Sequence, residues 1–304
     1  MILIGENIHV ISKSVREALL KRDEKFILEF LNIQTNMDYA DLNVGPAKGE
    51  LHGVLAWLAR LVEDKTDLDI SFDTSNFDEM KSGLEVCKRR TFLNSTSSDE
   101  PKLTNMLDLA LKHDSNLGAL TLSKETGIPK TSDGRLEIAF NIYEKALEKD
   151  FDCEKLFFDP LILPVCVEQS QGIEALNTIK MIKESFDPPA KTVIGLSNIS
   201  NGCPKELRPL INRVYASLAF GAGLDAAIID AKDTELVRIL KMLDLKSPEN
   251  DIDSLYIKLA DMVHDFGELE DVDFDRNCKR QSEIIKTAKI LLNKEIYSHS
   301  FTQI

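Results

Sequence analysis

The chain has 304 residues, of which 37 are basic and 51 acidic, so its formal net charge is −14 with the histidines neutral. Hydrophobic residues make up 43% of it, which is enough for a folded core, and the excess of acid argues against a nucleic-acid partner, because binding phosphates needs clustered Lys and Arg. No run of about 18 apolar residues is present, so we expect no helix that spans a membrane. The N-terminal stretch has no basic leader, and the five cysteines form no CxxC pair, so we expect a cytoplasmic protein without a metal of its own.

Short apolar segments that are rich in β-branched or aromatic residues are the strand candidates. They lie at 2–5, 39–44, 68–72, 91–93, 117–122, 156–158, 192–196 and 224–229. Between them, segments such as 51–62, 77–88, 135–147 and 173–183 have apolar residues at helical spacing. The alternation predicts a parallel sheet, and eight such units form a (β/α)8 TIM barrel. A doubly wound sheet is less favoured because no GxGxxG follows a strand. We predict one domain, residues 1–304.

Nearly every strand candidate is followed by a carboxylate or a carboxamide. In chain order these positions are Glu6, Asn43, Asp73, Asn94, the 121–123 step, Asp159, Asn198 and Asp230. In a barrel the carboxyl ends of the strands meet at one face, where such enzymes have their active sites. Taken one at a time, the same residues could instead cap the next helix or form an Asx-turn.

The chemistry of this ring limits its ligand. Carboxylates and carboxamides without cations or a Gly-rich loop suit a neutral, planar heterocycle that carries several N–H donors and carbonyl acceptors. A phosphosugar would need a cationic or backbone-amide cradle after the seventh and eighth strands. There, Arg208 and Arg213 could hold an anion, or the segment could simply be a turn into a helix that begins near Arg208.

Seven short motifs, each at the carboxyl end of a predicted strand, together resemble one family. They are LNVGP at 42–46, FDTSN at 72–76, LNST at 93–96, TGIPKTSDGRL at 126–136, FDPLILP at 158–164, GLSNIS at 195–200 and RPLINR at 208–213. The chain resembles the methyltetrahydrofolate:corrinoid protein methyltransferases from residue 1 to about 233, and again over 284–301. The resemblance implies a TIM barrel that binds the pterin ring of the folate. It also implies methyl transfer between N5 of that ring and the cobalt of a corrinoid on a partner protein.

The resemblance also implies roles for individual residues. In this family, residues that match Asp73, Asn94 and Asp159 hydrogen-bond the pyrimidine edge of the pterin. Asn198 matches the asparagine that faces N5, and Arg208 matches an arginine close to it. The residues expected beside them are Asp41 and Asn43 on the floor of the site, with Gly195 and Ser197 allowing close approach of the backbone. Asp41 could equally be a buried structural carboxylate.

The transfer makes chemical sense with this set of residues. A tertiary amine is a poor methyl donor unless N5 receives a proton or a strong hydrogen bond. Asn198 cannot act as a general acid, but its amide can donate a hydrogen bond that strengthens as charge develops on N5. Because cobalt is the nucleophile, no covalent enzyme intermediate is required, and we find no Ser/His/Asp or Cys/His grouping that would form one.

The chain departs from the family at 242–278, an acidic insertion after the eighth strand. Between 247 and 276 it has ten acidic and two basic residues, a net charge of −8. We expect one short amphipathic helix, followed by a solvated loop over GELEDVDFD, with the segment emerging near the barrel mouth. There it could help to recognise or steer the corrinoid protein, or it could be a surface excursion without a partner.

Two other functions compete with methyl transfer. A dihydropteroate synthase-like enzyme would share the barrel and the pterin pocket, but it needs cations for a diphosphate, and the strand ends IGENIH and DLNVGPA do not match its motifs. A non-catalytic folate-binding module is the second alternative, and the presence of Asn198 together with Arg208 argues against it. The resemblance further implies a homodimer.

Overall fold

The structure, a computed structural model, describes residues 1–303 and contains one closed barrel of eight parallel strands paired in chain order. The strands are β1 (Ile2–His9), β2 (Tyr39–Gly45), β3 (Asp69–Thr74), β4 (Thr91–Thr96), β5 (Asn116–Leu120), β6 (Leu156–Asp159), β7 (Lys191–Gly195) and β8 (Ala226–Ile229). β1 pairs with both β2 and β8, which closes the ring. All eight predicted strands are confirmed, and so is the TIM barrel.

Helices follow every strand and surround the barrel. They are α1 (Lys13–Lys21), α2 (Glu24–Ile33), α3 (Val54–Lys65), α4 (Phe77–Val86), α5 (Lys102–Lys112), α6 (Ser132–Glu148), α7 (Ser170–Ser185), α8 (Arg208–Gly221), α9 (Thr234–Leu245), α10 (Asp251–His264) and α11 (Lys279–Leu291). The predicted helix that begins near Arg208 is α8. Among these helices, none is long and apolar enough to cross a membrane within the part of the chain that the structure describes.

The helices take their N-terminal caps from residues other than those that end the strands. Asn76 caps α4 by accepting the Asp78 and Glu79 N–H groups, and Asp233 caps α9 by accepting from Leu236. Asp73 and Asp230, three residues before these caps, are therefore not needed for helix initiation. The cap explanation fails at these two positions, but Asp230 does form the alternative Asx-turn, in which its Oδ1 accepts the Lys232 N–H at 2.9 Å.

The interior of the barrel is filled below the carboxyl ends of the strands. Its core comprises Ile4, Tyr39, Phe92, Phe157, Val193, Ala226 and Ile228. The rings of Phe92 and Phe157 meet edge to face, with centroids 5.2 Å apart. A packed interior leaves the mouth, the end of the barrel formed by the carboxyl ends of the strands, as the place for a ligand.

The acidic insertion begins at the opposite end of the barrel from the mouth. Asp244, near the end of α9, accepts a hydrogen bond from the N-terminal amine of Met1, which precedes β1, at 3.0 Å. α10 then packs along α8, where Gly221 approaches the backbone of Ala260 so closely that a side chain would not fit. The prediction that the segment emerges near the mouth is therefore wrong for its start, because α9 first carries the chain away from the mouth. The first turn of α10 returns to Arg238, whose partner Glu235 lines the mouth cavity.

The second half of the insertion also differs from the prediction. The helix over the DSLYIKLADMVHDF stretch is confirmed as α10, but the following segment is not simply a solvated loop, since Leu269 and Val272 are only 4% and 9% exposed. Some acidic side chains of the insertion also form ion pairs. Arg238 of α9 binds Asp253 at 2.6 Å, and Lys294 contacts Glu268 at 2.8 Å. These contacts attach the insertion to the barrel, which a freely solvated segment would not show.

Candidate active site

Irregularities in strand pairing shape the mouth of the barrel. The register between β1 and β2 shifts between Gly5 and Ile8, the register between β2 and β3 shifts after Asn43, and the register between β4 and β5 shifts after Leu93. Such bulges often occur next to active sites, because an extra residue re-aims the side chains. At β1 the shift allows two consecutive residues, Glu6 and Asn7, to line one cavity.

Asn43, Asp73 and Asn94 form a cluster on three adjacent strands. Asn43 and Asn94 are the direct neighbours of Asp73 in the sheet, on β2 and β4. One oxygen of Asp73, Oδ2, accepts the amide of Asn43 and, at 3.5 Å, that of Asn94. Burial raises the pKa of Asp73 to about 6, against a lowering by the Asn43 hydrogen bond and the Lys102 charge. The three predicted residues are therefore brought together, with Asp73 as their shared acceptor.

Asp41 lies beneath this cluster and is only 2% exposed. It accepts a 2.6 Å hydrogen bond from the Ser71 hydroxyl and also interacts with Asn94. Burial and the nearby charge of Asp73 raise its pKa well above the usual range. Because one carboxyl sits directly below another, the pair resists carrying two negative charges at once.

Asp159 ends β6 on another side of the mouth. Its Oδ1 accepts the Leu161 N–H at 2.8 Å, an Asx-type turn, and burial raises its pKa to about 6. The charge of Arg135 opposes this rise. Arg135, from the start of α6, is fully buried and binds the carbonyl of Pro129 at 3.0 Å. Sequence reasoning missed Arg135, and the only signal was its place in the TGIPKTSDGRL motif.

Asn198, Ser197 and Arg208 lie together at a separate part of the mouth, around a cavity of about 1040 Å³ between the ends of β1, β7 and β8. Asn198 is exposed, and its Nδ2 folds back over Gly195, where a Cβ would lie 3.0 Å from it. The Arg208 guanidinium donates to the carbonyl of Cys203 at 2.8 Å. Gly195 therefore leaves room for the Asn198 amide, while the close approach of its backbone to a ligand stays a prediction.

Glu6 and Asp230 complete the wall of this cavity, and only their place in the strand-end ring singled them out in the sequence. Ser197 donates its hydroxyl hydrogen bond to Glu6, across the barrel from β7 to β1. Asn7 donates to Asp230 at 2.6 Å. Burial raises the pKa of Glu6 to about 7, the Ser197 hydrogen bond lowers it, and the charge of Asp230 raises it.

The mouth therefore offers groups for hydrogen bonding and proton transfer. Within residues 1–303, no group of three or more His, Cys, Asp or Glu side chains is placed to hold a metal ion. The cluster of Asn43, Asp73 and Asn94 presents fixed acceptors and donors to a flat polar ring. The cavity beside it has room for a second reactant.

Comparison with known proteins agrees with this geometry. The family model "Pterin binding enzyme" matches residues 36–230, from just before β2 to the end of β8. The chain therefore belongs to the family of pterin binding enzymes. Among solved structures, a dihydropteroate synthase from Yersinia pestis superposes with a TM-score of 0.56 over 81% of this chain and 93% of that one, at 15% identity. At such low identity this similarity shows the fold alone.

Curated relatives point to a narrower group. A methylcorrinoid:tetrahydrofolate methyltransferase from Eubacterium limosum is 25% identical over 240 residues, which cover 78% of this chain and 88% of that protein. A methionine synthase from Mycobacterium leprae is 27% identical over 251 residues, 76% of this chain. The match spans only 20% of that much longer synthase.

Proposed function

We propose that this chain is a methyltransferase that moves a methyl group between N5 of tetrahydrofolate and the cobalt of a corrinoid carried by a partner protein. The observation that carries the proposal is the similarity to the Eubacterium limosum methyltransferase over 88% of its length. A relative that is a methyltransferase by name and a methionine synthase both match about three quarters of this chain. The dihydropteroate synthase likeness is confined to the fold, so it adds no support to the condensation reaction.

The cluster on β2, β3 and β4 is the proposed binding site for the pterin ring. Asp73 would accept the N–H groups of the pyrimidine edge, because a carboxylate oxygen pair matches a guanidine-like edge. Asn94 and Asn43 fix the orientation of Asp73, and Asp41 supports them from below. Asp159 would contact the same edge from β6.

Asn198 is the proposed partner of N5. Its amide can donate a hydrogen bond that strengthens as N5 takes on negative charge, so it stabilises the transition state more than the bound substrate. The glycine at 195 lets the amide group fold back toward the barrel. Arg208 lines the same cavity and would interact with the substrate near N5.

The second reactant would enter through the cavity between β1, β7 and β8. A cobalt nucleophile forms its own bond to the methyl group, so the protein contributes orientation and hydrogen bonding. The corrinoid belongs to the partner as cargo. The homodimer stays a prediction.

An anaerobic optical assay tests the proposal. The protein is mixed with Co(I) cobalamin and methyltetrahydrofolate, and the loss of the Co(I) band is compared between the wild type, Asn198→Ala and Asn105→Ala. Loss of the N5 hydrogen bond should slow transfer by about 10²–10³-fold, as removal of an oxyanion-hole donor does. Asn105 lies on the exposed face of α5, so its replacement should leave the rate unchanged.

The result separates the competing functions. Folate binding without methyl transfer to free cobalamin or to a corrinoid protein would favour a binding module. Absence of folate binding would contradict the proposed function altogether. Equal rates in Asn198→Ala and wild type would leave methyl transfer standing and remove the role of Asn198.

A further inference from the structure

Glu6 combines a shielded position with direct access to the large cavity. It lies on the β1 bulge and faces the cavity together with Asn198 and Arg208. Its Oε1 accepts the hydroxyl of Ser197, the residue before Asn198. This hydrogen bond holds Glu6 beside the residue that precedes Asn198, whose amide is the proposed partner of N5.

Charged and titratable side chains from several neighbouring elements surround Glu6. Asp230 follows β8, and Asp41 lies on β2 and is close enough for the two charges to interact. His9 is on β1, and the cations that line the same cavity are Arg208 on α8 with Lys205 and Lys232 in the loops. Arg213 is engaged by Asp233 at 2.6 Å. None of the cations in this part of residues 1–303 forms an ion pair with Glu6, whereas Ser197 binds it directly.

We propose that Glu6 holds the proton that the methyl transfer exchanges with N5, an inference that rests on the function proposed above. When the methyl group leaves the folate, the bond between N5 and carbon breaks and its electron pair stays on N5. N5 takes the proton that Glu6 releases, through Ser197 or a water in the cavity, and the electron pair of Co(I) forms the new bond to carbon. In the opposite direction N5 forms the bond to carbon, and its proton passes to the Glu6 carboxylate while the cobalt keeps the electron pair.

The two directions then need opposite protonation states of Glu6. Burial raises the pKa of Glu6 to about 7. Demethylation of the folate requires the protonated carboxyl, so its rate should fall as pH rises through about 7. Methylation of tetrahydrofolate requires the carboxylate, so its rate should fall as pH decreases through the same value. A residue with this pKa is suited to both tasks.

Replacing a neighbour of Glu6 should shift the break in the pH–rate profile, which is the pH near 7 at which the rate changes. The charge or hydrogen bond that is removed sets the direction of the shift. Ser197→Ala removes a hydrogen bond that favours the ionised form, so the break should move to higher pH. Asp230→Asn removes a negative charge, so the break should move to lower pH, while the Asn side-chain oxygen can still accept from Asn7. A merely structural role for Glu6 would predict neither shift.

The experiment measures both directions between pH 5 and 9, as methyltetrahydrofolate with Co(I) cobalamin and as tetrahydrofolate with methylcobalamin. Glu6→Gln should lower both rates by about 10²-fold or more and abolish the break near pH 7. Folate affinity, measured by calorimetry, should stay within about twofold in the same variant, since Glu6 lies outside the pterin cluster. A Glu6→Gln protein that keeps the wild-type rate and break would overturn the proposal.

A second measurement is independent of turnover. Infrared difference spectra of wild type against Glu6→Gln should show one protonated carboxyl band that disappears as pH rises through about 7. Absence of that band would also overturn the proposal, even if the variant were slow. By contrast, a wild-type protein that shows the band and binds folate but transfers no methyl group to free cobalamin or to a corrinoid protein would refute the proposed function and leave Glu6 as a titrating carboxyl.

Discussion

The two sides of the barrel mouth differ in how their polar groups are held. On β2, β3 and β4, the acceptor Asp73 is locked between Asn43 and Asn94, with Asp41 buried underneath. On β1, β7 and β8, the groups line an open cavity, and Asn198 is exposed. The first arrangement suits recognition of a fixed shape, whereas the second leaves room for another molecule and for protons to move.

This difference explains how one face of a barrel can bind one reactant and admit another. In a low-dielectric setting, an unsatisfied polar group in a buried hydrogen-bond network costs much free energy. Such a network is therefore rigid and keeps one geometry. An exposed amide group loses little free energy when it exchanges one hydrogen-bond partner for another. Substitutions on β2, β3 and β4 should therefore affect folate binding, and substitutions around the cavity between β1, β7 and β8 should affect the rate.

Replacement of Asp73 should have the largest effect. Asp73→Ala removes the acceptor shared by two amides and the proposed contact to the pterin, so folate affinity should fall about 100-fold, or about 3 kcal/mol. Isothermal titration calorimetry with methyltetrahydrofolate measures this affinity. Asp67→Asn, at an exposed position before β3, is the control and should bind as the wild type does. Unchanged folate affinity in Asp73→Ala would show that the pterin does not bind on this side of the mouth.

Asp159→Asn should stabilise the fold at high pH. The folded-state pKa of Asp159 is raised from 3.8 to about 6, so its contribution to stability is complete below pH 3.8 and is lost as pH rises through about 6. The variant never ionises there and its oxygen can still accept from Leu161. It should gain about 3 kcal/mol over the wild type at pH 8 and nothing at pH 3.5, as measured by urea unfolding. A gain that does not depend on pH would contradict the burial of this charge.

The sequence located the polar residues at the strand ends, but it did not reveal the contacts that other elements make with them. Strand-end Asp73 and Asn94 were found because hydrophobic periodicity locates the strands, and parallel strands bring their ends together. Arg135 was missed because it comes from a helix whose burial no local pattern reveals. The contact from Ser197 to Glu6 joins residues 191 positions apart and depends on closure of the barrel. Whether residues 1–304 form one domain stays a prediction.

The close approach at Gly195 gives a smaller effect confined to rate. A methyl group there would lie 3.0 Å from the Asn198 amide, which must shift by a few tenths of an ångström. Gly195→Ala should slow methyl transfer about tenfold and leave folate affinity unchanged, because positioning of N5 and not binding is disturbed. Gly267→Ala, where the nearest atom lies 3.5 Å away, is a matched control. A loss of affinity equal to the loss of rate would show that the two sides are not separable.

The acidic insertion should have the smallest effect on the reaction. Asp261 and Asp265 lie at the C-terminal end of α10, and Asp261 pairs with Lys246 at the end of α9, on the side of the barrel away from the mouth. Charges more than a Debye length of about 8 Å from a docking surface are largely screened at physiological salt, so Asp261→Asn with Asp265→Asn should change transfer to a corrinoid protein less than about twofold. The measurement compares rates at low and physiological salt. If the double variant lost most of the salt dependence of the wild type, electrostatic steering by this segment would be restored, and the partner would have to approach along α8 as well as through the mouth.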